Sequence, residues 1–216
     1  MKLISLNVSV PRLVEYNGEP VATGIFKSPV SGPLMLRTLN LDGDRQADLS
    51  VHGGVTKAVY TYPSEHYVFW KKEFPEMNLP WGMFGENFTI AGLFEDGVNV
   101  GDKFRIGEAE LMVTEPRLPC HKLGIKFGRS DIIKRFLKSR RTGFYFAVVK
   151  EGTVEAGDEI ELLSRDANNI TIADIVRVYA FEKDDLETMR RAVKLEALSE
   201  SWREYFRKQI EKYETS

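Results

Sequence analysis

The chain has 216 residues, 43% of them hydrophobic, and sets 30 lysines and arginines against 32 aspartates and glutamates, for a formal net charge of −2 and a sequence pI near 6.0. That is ample apolar material for a folded core, and the near-neutral balance excludes a general affinity for nucleic acid polymer or an anionic membrane, so any anion site must be local. No apolar run approaches the ~20 residues of a membrane helix, and the single cysteine, Cys120, cannot close an internal disulfide. The opening "MKLISLNVSV" alternates where a secretory leader would be continuously apolar, so a cytoplasmic protein that stays off membranes is expected.

In chain order, short β-rich runs come first: 2–10, 21–28, 34–41, 87–90, 103–107, 109–115, 144–150 and 158–164, separated by Gly, Pro, Asn and Asp. Two helices are embedded among them. One spans 63–74 with Tyr67, Trp70 and Phe74 at helical spacing, and one spans 130–137 behind a Ser130 cap. The texture changes after about residue 166, where 171–181, 185–198 and 199–213 all carry the 3.6-residue period. The expected fold is therefore mainly β with α: a β-barrel with embedded helices over 1–165, followed by a small three-helix domain over 166–216. In the last helix, capped by Ser199, the stripe Trp202, Tyr205, Phe206, Gln209, Ile210 and Tyr213 reads first as core and second as a docking face.

Four segments hold polar residues that a plain barrel does not need. In "LDGDRQADLSVHGGVTKAVY" (41–60), Gly43, Gly53 and Gly54 permit close backbone approach, while Arg45, Gln46, His52 and Lys57 could grip a phosphate; the bland alternative is a hydrophilic connection without P-loop spacing. In "WGMFGENFTI", Glu86 and Asn87 precede a strand, and Asn87 could read an amide edge or merely cap a turn. Arg140 and Arg141 fit a solvated helix end. The fourth segment, "EPRLPCHKL", sets Cys120 between Arg117 and Lys122, cations that would stabilise a thiolate, whereas a small buried hydrophobe is the ordinary role of a lone cysteine. If the strand before it continues, Cys120 and His121 point to opposite faces, which argues against a Cys–His nucleophilic pair. Zinc spacing is lacking, leaving a soft metal with one protein thiolate and its other ligands brought by a cofactor.

At these residues the sequence resembles the MOSC domain family, named for the C-terminal domain of molybdenum cofactor sulfurase, and within it the bacterial branch linked to detoxification of 6-hydroxylaminopurine. The resemblance runs through "LDGDRQADLSVHGG", "FGENFTIAGL", "VNVGDKFRIGEAELMVTEPRLPCHKL", "GFYFAVVKEGTVEAGDEIEL" and "LSESWREYF". It implies a MOSC-type barrel in which Cys120 ligates molybdenum of a molybdopterin-type cofactor, with Arg45, His52, Gly53, Gly54, Lys57, Glu86, Asn87, Arg117 and Lys122 around it. The activity implied is reduction of N-hydroxylated bases or related compounds. With no flavin or nicotinamide fingerprint and no cysteines for an iron–sulfur cluster, electrons must come from a separate reductase or ferredoxin-like protein, for which the three-helix tail offers a docking face. Two other readings stand beside it: a carrier delivering cofactor or sulfur through a Cys120 persulfide, and an interaction domain with an inert thiol. The pyridoxal-phosphate-dependent region that precedes this domain in the sulfurase has no room in this chain.

Overall fold

The computed structural model describes residues 1–47 and 53–215. The alternating opening forms β1 (Lys2–Val8), followed by a hairpin of β2 (Arg12–Tyr16) and β3 (Glu19–Thr23). Its two-residue turn, Asn17–Gly18, holds both φ angles positive, the sequence signature of a tight hairpin, so the expected 21–28 strand begins earlier and has a partner not foreseen. Then come β4 (Ser28–Val30), β5 (Leu34–Leu36) and β6 (Val59–Pro63). Helix α1 (Glu65–Glu73) crosses over to β7 (Phe88–Ala91), which lies parallel to β6, the arrangement that requires a crossover connection. Strands β8 (Lys103–Ile106), β9 (Ala109–Pro116) and β10 (Phe144–Lys150) form an antiparallel meander interrupted by α2 (His121–Phe127) and α3 (Ile132–Ser139), and β11 (Gly152–Val154) and β12 (Ile160–Ser164) end the β-rich part. The chain closes with α4 (Ile172–Ala180), α5 (Leu186–Ala192) and α6 (Glu200–Glu214), the three terminal helices expected.

The main sheet has the order β12-β8-β9-β10-β6-β7-β1-β4. Its margins meet: Lys2 bridges Glu159, the Leu3 amide donates to the Asp158 carbonyl at 2.9 Å, and the Gly157 amide donates to the Leu3 carbonyl at 2.8 Å. The fold is thus sheet-rich mixed α/β, curled like the expected barrel but without a continuous ladder closing it. Among the described residues, no helix is long and apolar enough to cross a membrane.

Two cores hold it. The larger joins inward strand residues such as Leu6, Phe104, Phe144 and Phe146 to Ile175, Met189, Trp202 and Phe206 of the terminal helices. Trp202 and Phe206 of the aromatic stripe are therefore core, with Tyr205 and Ile210 half-buried against it and Tyr213 exposed. The smaller core gathers Tyr62, Trp70, Phe74, Phe84, Phe127 and Phe136 around α1, as the spacing of Trp70 and Phe74 foretold. The cap of α3 is Asp131, one residue after the expected Ser130. Because Phe206 is fully buried in the larger core, Phe206→Ala should lose about 3–5 kcal/mol, read as a lower urea midpoint. A shared core further predicts that strands and helices unfold in one transition.

Candidate functional site

Strand β9 carries the chain out of the sheet at Pro116, and Arg117, Leu118 and Pro119 lead to Cys120 at the start of α2. Cys120 keeps an extended backbone (φ −124°), while His121 is the first helical residue. The strand argument against a Cys–His pair does not apply, because the segment is no longer a strand. The exposed His121 ring faces Tyr16 of the β2–β3 hairpin, 6.3 Å between centroids. This helix was not foreseen, although its C-terminal Gly128, held at φ 65°, is a sequence stop signal that locates it.

Two clefts share Lys57, Cys120 and Tyr145 in their walls. One, of about 80 Å³, also exposes Lys27, Asp44, Arg45, Gln46, Tyr60, Asn87, Arg117 and Lys122. The other, of about 410 Å³, lies between β9 and the terminal helices and is lined by Glu115, Tyr179, Trp202 and Tyr205. The wider cleft by itself falls within the roughly 300–1,000 Å³ of small-molecule sites, and the basic one is much smaller. Of the residues chosen from the sequence, Cys120, Arg45, Lys57, Asn87, Arg117 and Lys122 are brought together. His52 lies outside the described residues, and Gly53, Gly54 and Glu86 are not in these walls. Gly54 instead opens the short 3-10 turn Val55–Lys57 that delivers Lys57.

Strand registry explains the gathering. Tyr145 on β10 sits opposite Tyr60 on β6, their rings 5.3 Å apart, while Phe144 and Phe146 on the other face enter the core. A register irregularity between Phe144 and Phe146 where β10 meets β9 is the kind of local break that re-aims side chains beside sites. The Thr114 hydroxyl donates to the Thr56 carbonyl at 2.6 Å, which ties the Lys57 turn to β9.

Arg117 is the electrostatic centre. It is only 6% exposed, its guanidinium lies 4.9 Å from the Tyr60 ring centroid and 5.4 Å from that of Phe136, and its Nη1 has no hydrogen-bond partner among the described residues. Burial pushes the Tyr145 phenol up to about 12, with Arg117 opposing, so it remains a protonated donor near neutral pH. Lys57 Nζ stands 3.4 Å from the buried Glu115 carboxylate, whose pKa burial raises.

Two of the candidate cofactor residues are engaged within the chain. Glu86 is fully buried, and both its oxygens accept bonds from the chain itself: Tyr67 Oη, the Gly82 amide at 2.8 Å, Thr89 Oγ1 at 3.0 Å and the Phe84 amide at 3.1 Å. It organises the 82–87 turn. Asn87 faces the narrow cleft, yet its Oδ1 accepts from the Tyr60 amide and its Nδ2 donates to Asp44 Oδ2 at 2.9 Å. Both ends of its amide are thus engaged within the cleft wall. Arg140 and Arg141, at the end of α3, stack on the Phe181 and Phe69 rings, and neither lines the two clefts. Sequence reasoning missed Tyr60, Tyr145, Lys27 and Asp44. Asp44 pairs with the buried Lys27 ammonium and accepts from the Ser9 amide at 2.9 Å, so Lys27 is neutralised within the wall.

Comparison with known proteins agrees with this architecture. Residues 48–161 match the MOSC domain and residues 170–212 the YiiM-like 3-alpha helix domain. The chain belongs to the MOSC family. YflK of Bacillus subtilis is 44% identical over 206 residues, covering 95% of this chain and 93% of that protein. The crystal structure of the MOSC relative YiiM from Geobacillus stearothermophilus matches with a TM-score of 0.83 at 35% identity, covering 97% of this chain and 98% of that one. A Gibberella moniliformis protein named Reductase is 32% identical over 181 residues; the match takes in 82% of this chain and 32% of that protein's length.

Behind the MOSC cleft, Lys126 of α2 donates to the carbonyls of Ile25 at 3.2 Å, Lys27 at 3.3 Å and Gly82 at 3.2 Å, clasping two wall segments. Burial, with Arg12 and Lys27 adding to it, lowers its pKa to about 8 against 10.5 for an ordinary lysine. Between those values the unfolded chain binds this proton and the folded chain has released it, so stability should rise as pH climbs from about 8 to 10.5. Lys126→Met should flatten that rise, measured as the pH dependence of the urea midpoint.

Proposed function

We propose that this MOSC protein binds a molybdopterin-type molybdenum cofactor through the Cys120 sulfur and reduces N-hydroxylated bases or related compounds. One observation carries the reading: a thiol and a buried arginine with an unsatisfied Nη1 share one cleft wall. A buried guanidinium donor without an acceptor costs stability unless a ligand supplies one, and phosphate or a dithiolene-bearing anion does so. Arg45, Lys57 and Lys122 line the same cleft, so the donor set fits an anionic group that also offers a soft metal to sulfur.

Cys120 would supply the metal's protein ligand, and Arg117, Lys57, Lys122 and Arg45 would hold the anionic parts of the cofactor. When bound, the cofactor supplies two-electron chemistry, by which an N-hydroxy compound takes up two electrons and two protons to give the amine and water. The Tyr145 phenol, kept protonated by burial, faces the same space as a hydrogen-bond donor. Electrons come from a separate donor protein. The fungal relative named Reductase lends the redox reading support.

The test is elemental analysis and turnover of protein expressed with ample molybdate. Cys120→Ala should lose both bound molybdenum and reduction of 6-hydroxylaminopurine by an artificial donor, with an unchanged circular dichroism spectrum; retention of either refutes the assignment. Transfer of cofactor to an apo-acceptor without any turnover favours the carrier instead.

A further inference from the structure

The wider cleft, between β9 and the terminal helices, has walls unlike the basic one. Tyr179 packs edge-on to Trp202 at 5.1 Å and lies 5.2 Å from Tyr205, and all three rings border the space together with Tyr145. Set into these aromatic walls is Glu115, 1% exposed. Lys57 approaches its Oε1, and Ser199 and Trp202 turn donors toward the same carboxyl, yet none of them reaches Oε2 in hydrogen-bond geometry among the described residues.

A buried carboxylate oxygen without a donor is unfavourable for folding, so its retention in a cleft marks a place where a ligand provides the donor. The rings select the ligand's faces. Planar heterocycles stack on such side chains with a useful gain, whereas flexible aliphatic chains do not. The edge must then carry an N–H group directed at Oε2.

We propose that this cleft receives a planar nitrogen heterocycle bearing an amino group, held by the Tyr179, Trp202 and Tyr205 rings and anchored through a hydrogen bond to Glu115. As a substrate site it rests on the reading of Cys120 given above, since Cys120 borders both clefts; as a binding site it stands alone. The terminal helices then act as the substrate wall of the MOSC site, and Glu115 determines specificity.

Calorimetric titration of the purified full chain with 9-methyladenine and 9-methylpurine, which differ by one amino group, tests this. The wild type should prefer 9-methyladenine about tenfold, the ratio equivalent to about 1.4 kcal/mol, as one charge-assisted hydrogen bond supplies. Glu115→Met, similar in length but without the acceptor, should bring the two affinities together. Tyr205→Leu, at a half-buried position, should weaken both ligands and leave their ratio intact, a result that remains informative if Glu115→Met does not fold. No binding of either ligand to the wild type, or unchanged discrimination by Glu115→Met, overturns the proposal. Molybdenum content is measured separately. Metal retained by Cys120→Ala alongside wild-type discrimination sinks the cofactor reading alone, and metal lost from Cys120→Ala with no discrimination in the wild type sinks the cleft proposal alone.

Discussion

The position of β10 between β9 and β6 is the constraint on which the site depends. That pairing sets Tyr145 against Tyr60, sends Phe144 and Phe146 into the core, and fixes where β9 must leave the sheet. From that exit, three residues bring the chain to Cys120. Shifting one strand by a single residue would turn Tyr145 inward and a core phenylalanine outward, so the larger core and the cleft wall are specified by the same registry.

Charge is managed in two ways around the clefts. Lys27 is buried beside Asp44, which Asn87 and the Ser9 amide also engage, and that group is satisfied internally. Arg117 and Glu115 are not: each is buried, each retains one atom without a hydrogen-bond partner among the described residues, and each lines a different cleft. Lys57 lies between them, in both walls. Opposite unmet needs on either side of one sulfur suit two different ligands, an anion on the basic side and a hydrogen-bond donor on the aromatic side.

Much of the fold was legible before the structure, because period-2 and period-3.6 patterns follow directly from which face is buried. The main strands and the helices around Trp70, Ile175 and Trp202 fall where those patterns place them. The exceptions have physical causes. Strand β6 is buried along its whole length and so lacks alternation, and α2 is short, beginning two residues after Pro119. The β2–β3 hairpin was marked by Asn17–Gly18 and could have been found.

The sequence by itself determined the family, the main strands and terminal helices, and Cys120 with Arg117, Lys57 and Lys122 as candidates that the fold brings into one cleft, since these rest on local chemistry and spacing. Only the tertiary structure decided that Glu86 and Asn87 are hydrogen-bonded within the chain, that Trp202 and Phe206 belong to the larger core, and that Glu115, Tyr60 and Tyr145 border the clefts. Hydrogen-bond satisfaction and burial depend on residues distant along the chain. A carboxylate that is fully engaged and one that lacks a partner are the same letter in a sequence.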